Sequence, residues 1–373
     1  MLGRRSKQAT SLDEAIKKRL PKNHFLKVND LIDWDPIEKR LEPLYDPSNG
    51  RPSYPPLMMF KALLLQQWFN LSDRGLAEAI ADRLSFQSFL GLSITDPVPD
   101  DTTFKRFRQK LQEKGVLEEL FSILDSEFDR LGLLVKRGSF IDATIVQAQR
   151  RPPSKEKDDK EEERGLDSTQ IHSSAEEEDH SSHDERAKAE AKDDALKITK
   201  NGKAYYATDP DARWMVKRGK PYYGYKVHVN TDESGIVRGV EVTPANVHDS
   251  RKLKNLISGK EEAIYADKAY DSEGVRSWCE ENGIECCILH KGKRNKPLTD
   301  AEVEENKRWS KKRFRVEQVF EIAKRCYNLD RFPYVGLLPN KVKAFMTVIA
   351  MNIKRAFNIV QTRKGALSSY GSA

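Results

Sequence analysis

The hydrophobic periodicity of this chain changes once, near Gly138, from the spacing of helices to the alternation of strands. Upstream, apolar residues such as Phe104, Phe107 and Leu111 recur at intervals of three and four residues, which is typical of amphipathic helices. Downstream, residues 139–146 (SFIDATIV) are rich in β-branched side chains and predict a strand. The change predicts a helical domain followed by a domain of the α+β or α/β class.

A long charged stretch interrupts the second part of the chain. Residues 151–200 contain no aromatic residue, and 16 acidic and 10 basic side chains make up more than half of them. Such a stretch cannot bury enough apolar area to offset the entropy of ordering it, so we expect a flexible insertion. The predicted organisation is a helical domain at 1–135, a second domain at 136–360 with the insertion at 150–205, and a tail at 361–373.

The charge of the chain favours a polyanionic partner. Lys and Arg outnumber Asp and Glu by 65 to 58, which gives a net charge of +7. Because the stretch 151–200 carries −6, the remainder carries +13. A folded body this basic suits nucleic acid better than a membrane surface.

Several classes of protein do not fit the sequence. No apolar run reaches the roughly 18 residues of a membrane span, and the longest, 342–353, predicts a buried helix. No Gly-Lys pair is followed by the Ser or Thr of a phosphate-binding loop, so we expect no nucleotide cofactor. The four cysteines do not suggest a disulfide framework, and no secretory signal is recognisable, so we expect a cytoplasmic protein.

The order of the predicted elements defines the second domain. Strands are predicted at 139–146, 222–229, 236–242, 263–267 and 284–289. Helices are predicted at 250–257, 272–282 and 308–326. Three antiparallel strands followed by alternating helices and strands predict one mixed five-stranded sheet flanked by helices.

The amino-terminal helices allow two interpretations. Ser72 and Asp100 are candidate N-caps of two helices separated by Gly and Pro residues. The second helix is basic, so the pair could form a helix-turn-helix that enters a DNA groove. The alternative is an ordinary helical bundle with a solvated basic face. The DNA-binding candidates of this helix are Thr103, Lys105, Arg106 and Arg108.

Three acidic residues lie where a sheet could bring them together. Asp142 lies within the first predicted strand, Asp267 ends the fourth, and Glu317 flanks the apolar stripe of the late helix, together with Arg313 and Lys324. Converging carboxylates without a Cys or His ligand set suit Mg²⁺ or Mn²⁺. Two such ions can activate a water molecule and stabilise the leaving oxygen in phosphodiester displacement.

Other interpretations of these acids stay open. Arg313 and Glu317 are four residues apart and could form only a surface salt bridge. Asp249, Asp271 and Glu321 are competing acids, although Asp271 is explained more simply as an N-cap. In ribonuclease-H-like nucleases the acids also lie, in chain order, on the first strand, on the fourth strand and on a late helix. This comparison is an analogy of fold.

Short motifs resemble one family. They are FIDAT at 140–144, YGYKVH at 223–228, NVHDS at 246–250, ADKAYDS at 266–272 and RFRVE at 313–317, with RPSYPP at 51–56 and DTTF at 101–104. In this order they resemble bacterial insertion-sequence transposases of the DDE type, the branch similar to eukaryotic Harbinger elements.

The resemblance implies a ribonuclease-H-like catalytic domain and a function. It implies a metal-dependent recombinase that cuts DNA at the inverted-repeat ends of an insertion sequence and joins the 3′-hydroxyl ends to target DNA. The acidic triad carries over to Asp142, Asp267 and Glu317, with two Mg²⁺ or Mn²⁺ ions. The family signature Tyr-x2-Arg-x3-Glu-x6-Lys matches at Arg313, Glu317 and Lys324, but Ser310 stands at the Tyr position.

The remaining expectations concern partners and secondary site residues. We expect double-stranded DNA as partner, a homodimer or larger assembly, and a place in the bacterial nucleoid. His248 is a candidate for contacting the scissile phosphate or orienting a carboxylate; alternatively it is a polar residue at a helix start. Further DNA-binding candidates are Trp309, Lys312, Arg315, Lys291, Lys293 and Arg294. The alternative function is a regulatory DNA-binding protein with an inactive core.

Overall fold

The structure is a computed structural model in which part of the chain is described. The described residues are 11–20, 23–45, 53–135, 137–151, 196–200, 203–206, 208–257, 261–292 and 297–370. Most of the predicted charged insertion, and the DNA-binding candidates Lys293 and Arg294, lie outside them.

The first third of the chain is helical, as predicted. Its helices are α1 (Ser11–Arg19), α2 (His24–Leu31), α3 (Asp35–Leu41), α4 (Pro56–Phe69), α5 (Asp73–Asp82), α6 (Leu84–Leu90), α7 (Asp101–Glu113) and α8 (Leu117–Arg130). Ser72 Oγ accepts a hydrogen bond from the N–H of Gly75 at 3.0 Å, and Asp100 Oδ1 accepts one from Thr103 at 2.7 Å. Both predicted N-caps are therefore confirmed. The additional helix α6 separates α5 from α7.

The second part is built on a mixed sheet. Its strands are β1 (Gly138–Gln147), β4 (Arg213–Lys217), β5 (Lys220–Thr231), β6 (Val237–Pro244), β7 (Ala263–Ala266) and β8 (Glu285–Ile288). They run in the order β4-β5-β1-β7-β8, and β6 also pairs with β5. Strand β5 is antiparallel to its neighbours, whereas β1, β7 and β8 are parallel to one another. The mixed sheet is confirmed, with β4 as a sixth strand that the sequence analysis missed.

The end of the predicted insertion has regular structure. Strands β2 (Leu196–Lys200) and β3 (Lys203–Tyr206) pair as a small antiparallel hairpin. They lie at the carboxyl-terminal end of the predicted insertion, whose flexibility stays a prediction. The β-branched residues of β2 and the aromatic residues of β3 favour strands.

Four helices accompany the sheet. They are α9 (Leu253–Leu256), α10 (Glu273–Glu281), α11 (Asp300–Tyr327) and α12 (Leu337–Tyr370). Helix α11 begins earlier than predicted because Thr299 and Glu302 form a capping box. Helix α10 is capped by Ser272, whereas Asp271 pairs with Arg276 at 2.7 Å. The prediction of Asp271 as the N-cap was therefore wrong.

Helix α12 joins the helical region to the sheet. It packs against β6 on one side and against α2, α4, α7 and α8 on the other. Trp68 donates its indole N–H to the carbonyl of Ala350 at 2.9 Å, and the Asn352 amide bonds both backbone groups of Val237. One hydrophobic core therefore continues through both regions. None of the described helices is long and apolar enough to cross a bilayer.

Candidate active site

The pairing of β1 with β7 places Asp142 beside Asp267. The two parallel strands pair up to Ile141 and Ala266, and the aspartates are the next residue of each strand. Beyond this point β1 continues beside β5 while β7 ends. The sheet therefore opens where the two carboxylates lie, at the carboxyl end of β7, where ligands bind in sheets of this kind.

Both carboxylates contact one guanidinium group. Arg313 Nη2 lies 3.2 Å from Asp142 Oδ2, and Nη1 lies 3.9 Å from Asp267 Oδ1. The Arg313 side chain is only 8% exposed, and its Nε has no hydrogen-bond partner among the described residues. Two adjacent carboxylates repel each other, so a cation between them is required for stability. In this structure Arg313 provides that charge.

The backbone and the surroundings orient the two aspartates. Oδ1 of Asp142 accepts the N–H of Ala143 at 2.8 Å, and Oδ1 of Asp267 accepts the N–H of Lys268 at 2.7 Å. Burial raises the pKa of Asp142, and Arg313 opposes this shift. Asp142 is half-buried, and the two carboxylates offer the oxygen donors that a hard divalent ion prefers.

Tyr270 adds an uncommitted hydroxyl beside these acids. Its side chain is fully buried, and its OH has no hydrogen-bond partner among the described residues. Burial raises the pKa of Tyr270, and the neighbouring charges of Asp249 and Asp142 raise it further. The hydroxyl therefore stays protonated and can donate a hydrogen bond to a carboxylate. Sequence analysis missed this residue, although it lies within the ADKAYDS motif.

Glu317 lies on α11, one turn beyond Arg313, and its side chain is exposed. Within the described ranges no group of three or more His, Cys, Asp and Glu side chains is arranged to hold a metal ion. The structure thus brings together two of the three predicted acids. It places Arg313 of the predicted signature between them. Glu317 follows about 6 Å further along the same helix.

His248 begins a short helical turn next to this site. Its Nδ1 lies 2.7 Å from Ser250 Oγ and accepts the Ser250 N–H, so the imidazole caps the turn. These contacts fit its interpretation as a polar residue at a helix start. The following residue, Asp249, pairs with Lys226 at 2.8 Å. The Asp249 turn packs against the turn that contains Tyr270.

A buried histidine supports the same corner of the sheet. His228 is fully buried, and its Nε2 lies 2.9 Å from Thr243 Oγ1. Burial lowers its pKa to about 4 from the ordinary 6.5. Its role is therefore structural. Lys226 and His228 are two residues apart on β5, so both lie on one face of the strand.

This histidine predicts a pH dependence of stability. As pH falls from 6.5 to about 4, the unfolded chain binds a proton at His228 that the folded chain does not. The free energy of unfolding should therefore fall across this interval, by up to about 3 kcal/mol from this group. Urea unfolding at pH 7 and pH 4.5 measures the difference, and His228→Gln should reduce it. An equal difference in the variant contradicts the prediction.

Three of the DNA-binding candidates, Arg108, Trp309 and Arg313, are buried. Arg108 donates to Asp73 Oδ1 at 2.7 Å and lies over the Tyr334 ring at 5.1 Å. Trp309 is 6% exposed, and its ring lies 5.2 Å from that of His290. Side chains enclosed in this way cannot reach a DNA backbone in this conformation. Their positions on basic helices suggested exposure, but α7 and α11 pack these faces inward.

The ion pair of Arg108 gives a stability prediction. Arg108→Ala should lower the free energy of unfolding by about 3 kcal/mol, because Asp73 loses its cationic partner and keeps only the hydrogen bond from Gln66. The neighbouring substitutions Lys105→Ala and Arg106→Ala are matched controls because both side chains are exposed. They should change stability little. Chemical denaturation compares the three variants, and similar stabilities would refute the structural role of Arg108.

The other candidates lie at or near the surface. Lys105, Arg106, Lys291, Lys312 and Arg315 are exposed, and Thr103 and Lys324 are half-buried. The ammonium of Lys312 donates to the Tyr265 hydroxyl at 2.7 Å. Burial, together with the charge of Lys217, lowers the pKa of Lys324.

The sheet and the acidic pair define the class of this protein. On one side of β1 the sheet continues with antiparallel strands, and on the other side with the parallel strands β7 and β8. The carboxylates of Asp142 and Asp267 lie where β1 and β7 meet. This arrangement is that of a ribonuclease-H-like domain. Helices of the amino-terminal region pack on it through α12.

Residues 134–353 match the family model described as "Transposase DDE domain". Residues 14–110 match the one described as "Transposase domain (DUF772)". The chain belongs to the DDE transposase family. The resemblance of its motifs to DDE transposases is therefore confirmed. The relation to Harbinger elements stays a prediction.

Two solved structures are similar to the chain at low identity. A chain in the crystal structure of the Mos1 strand transfer complex is 12% identical, with 77% of this chain and 81% of that chain covered and a TM-score of 0.18. A chain in a pre-cleavage Mos1 transpososome is 11% identical, with 84% and 81% covered and a TM-score of 0.18. The assignment to the family rests on the two family models.

Proposed function

We propose that this transposase cuts DNA at the inverted-repeat ends of its insertion sequence and joins the freed 3′-hydroxyls to target DNA. Asp142, Asp267 and Glu317 would hold two Mg²⁺ or Mn²⁺ ions. The observation that carries the proposal is the side-by-side placement of Asp142 and Asp267 around a single cationic group. Divalent ions held there supply the charge that activates a nucleophilic oxygen and stabilises the leaving oxygen of a phosphodiester.

The side chains around the acids suit a phosphate substrate. Lys291, Lys312 and Arg315 are exposed, and cations of this kind bind the DNA backbone without reading its sequence. The buried Tyr270 hydroxyl has no hydrogen-bond partner among the described residues and is available to a bound group. Glu317 follows Arg313 on the same helix, and ions held by the aspartates would take over the neutralising role of the Arg313 guanidinium. We also propose that the protein acts as a homodimer or larger complex, because two element ends must be joined together.

The test uses the full chain and labelled DNA that carries the ends of its own element. With Mg²⁺ we expect strand cleavage, and with a target plasmid we expect covalent joining of the labelled 3′ end. Both should stop in EDTA, while binding persists and weakens steeply as salt rises. Cleavage that continues in EDTA would overturn the metal mechanism. Binding with no cleavage under any divalent ion would favour a regulatory DNA-binding protein instead.

A further inference from the structure

The β4–β5 hairpin carries an exposed apolar and basic surface that no part of the proposed mechanism uses. Trp214 is 48% exposed and Val216 is 69% exposed, on the same face of β4. Residues 213–222 contain four basic and no acidic side chains. Lys217, Arg218 and Lys220 are exposed and form no ion pair with the described residues. An aromatic ring surrounded by free cations is a typical single-stranded nucleic-acid surface.

Two neighbouring side chains contact the Trp214 ring. It lies 5.2 Å from the ring of Tyr223, its cross-strand partner, and the guanidinium of Arg151 lies 5.8 Å from it. Tyr223 in turn donates its hydroxyl to the carbonyl of Asp209 at 2.6 Å. A rigid ring that keeps half of its surface in solvent is prepared for stacking, because little side-chain entropy remains to be lost on binding.

Strand β5 connects the hairpin to the strand that carries Asp142. Strand β5 continues from the hairpin alongside β1, where Gly224 pairs with Gln147, and α11 packs on β5. The ammonium of Lys217 acts electrostatically on the carboxylate of Asp142 and on the ammonium of Lys324. The tight turn at Arg218 and Gly219, both with positive φ, brings Lys217 and Lys220 opposite each other.

We propose that the β4–β5 hairpin binds unpaired DNA beside the site of cleavage, with an unstacked base on the Trp214 ring and backbone phosphates on Lys217, Arg218 and Lys220. The proposal rests on the proposed function, since it assumes that DNA is the substrate. Stacking of one base on an aromatic side chain is worth enough to change affinity by about tenfold. The hairpin would thus hold the separated strand end on the same sheet that carries Asp142.

The experiment measures binding in EDTA, so that it does not depend on the chemistry. The probes are a blunt duplex and the same duplex with a short single-stranded thymidine overhang. Trp214→Ala should weaken binding of the overhang duplex by about tenfold and leave the blunt duplex nearly unchanged. Trp214→Phe should retain most of the affinity. Ile94→Ala, which removes an exposed apolar side chain in the amino-terminal region, is the matched control and should bind as the wild type.

Fluorescence provides a second readout. Trp214 is the most exposed of the five tryptophans, so it should dominate the emission that iodide quenches. The overhang duplex should protect this emission in the wild type, and Trp214→Phe should remove the quenchable fraction. If Trp214→Ala binds the overhang duplex as tightly as the wild type, the hairpin proposal fails. If the wild type binds neither duplex, the proposed DNA substrate itself fails.

Discussion

Replacing Asp267 with Asn should lower the rate of DNA cleavage by about 10³-fold or more. The amide keeps the shape of the side chain but removes the charge that a divalent ion needs. Charge stabilisation by a bound metal amounts to several kcal/mol, and each 1.36 kcal/mol is a factor of ten in rate. Asp267 is 41% exposed, so the variant should fold normally. Single-turnover cleavage of labelled end DNA with Mg²⁺ measures the effect.

The same assay should give similar losses for Asp142→Asn and Glu317→Gln. Helix α11 offers a matched control in Glu321, an exposed glutamate one turn beyond Glu317 that pairs with Arg325 at 3.8 Å. Glu321→Gln should cleave at the wild-type rate. If Glu317→Gln behaves like Glu321→Gln, Glu317 is not a ligand. If Asp267→Asn cleaves normally, the acidic pair is not the catalytic centre.

Replacing Arg313 with Ala should destabilise the metal-free protein by about 2 kcal/mol. The substitution leaves Asp142 and Asp267 adjacent without a cation, and breaking a buried ion pair costs 3–5 kcal/mol. We expect less here because Asp267 is partly solvated. Mg²⁺ should then raise the melting temperature of the variant more than that of the wild type, since it supplies the missing charge.

Differential scanning calorimetry with and without Mg²⁺ tests this competition. Arg315→Ala is the control, because Arg315 is exposed on the same helix, and it should show the wild-type response to Mg²⁺. An Arg313→Ala variant as stable as the wild type would show that the carboxylates do not depend on the guanidinium. If Mg²⁺ raises the melting temperatures of Arg313→Ala and of the wild type equally, the ion and the Arg313 guanidinium do not compete for the same carboxylate oxygens.

The acids could be predicted because their positions follow from local patterns. A single aspartate within a β-branched strand and another at the end of a second strand are visible in the sequence, and parallel strands align such ends. The pairing of Ile141 with Ala266 is the register that makes the two neighbours. The resemblance of the motifs to a family pointed to the same residues. The roles of Asp142, Asp267 and Glu317 as metal ligands stay predictions.

The burial of basic residues could not be predicted in the same way. Arg and Lys are exposed in most proteins unless they are paired, so Arg108 and Arg313 were expected to reach DNA. Each is buried because an acidic partner from another element meets it, Asp73 for the first and Asp142 for the second. Strand β4 was missed because its apolar residues face solvent rather than a core.

The sequence by itself determined the helical first region, the strands of the sheet and the acids at their ends, because these depend on local propensity and periodicity. Only the tertiary structure decided which cation lies between the carboxylates. Asp142 and Arg313 are 171 residues apart in the chain, and their contact depends on how α11 packs on β1. The strength of a Coulomb interaction depends on the distance between the charges and on the local dielectric. Both are set by the packing of distant segments and cannot be read from a short stretch of sequence.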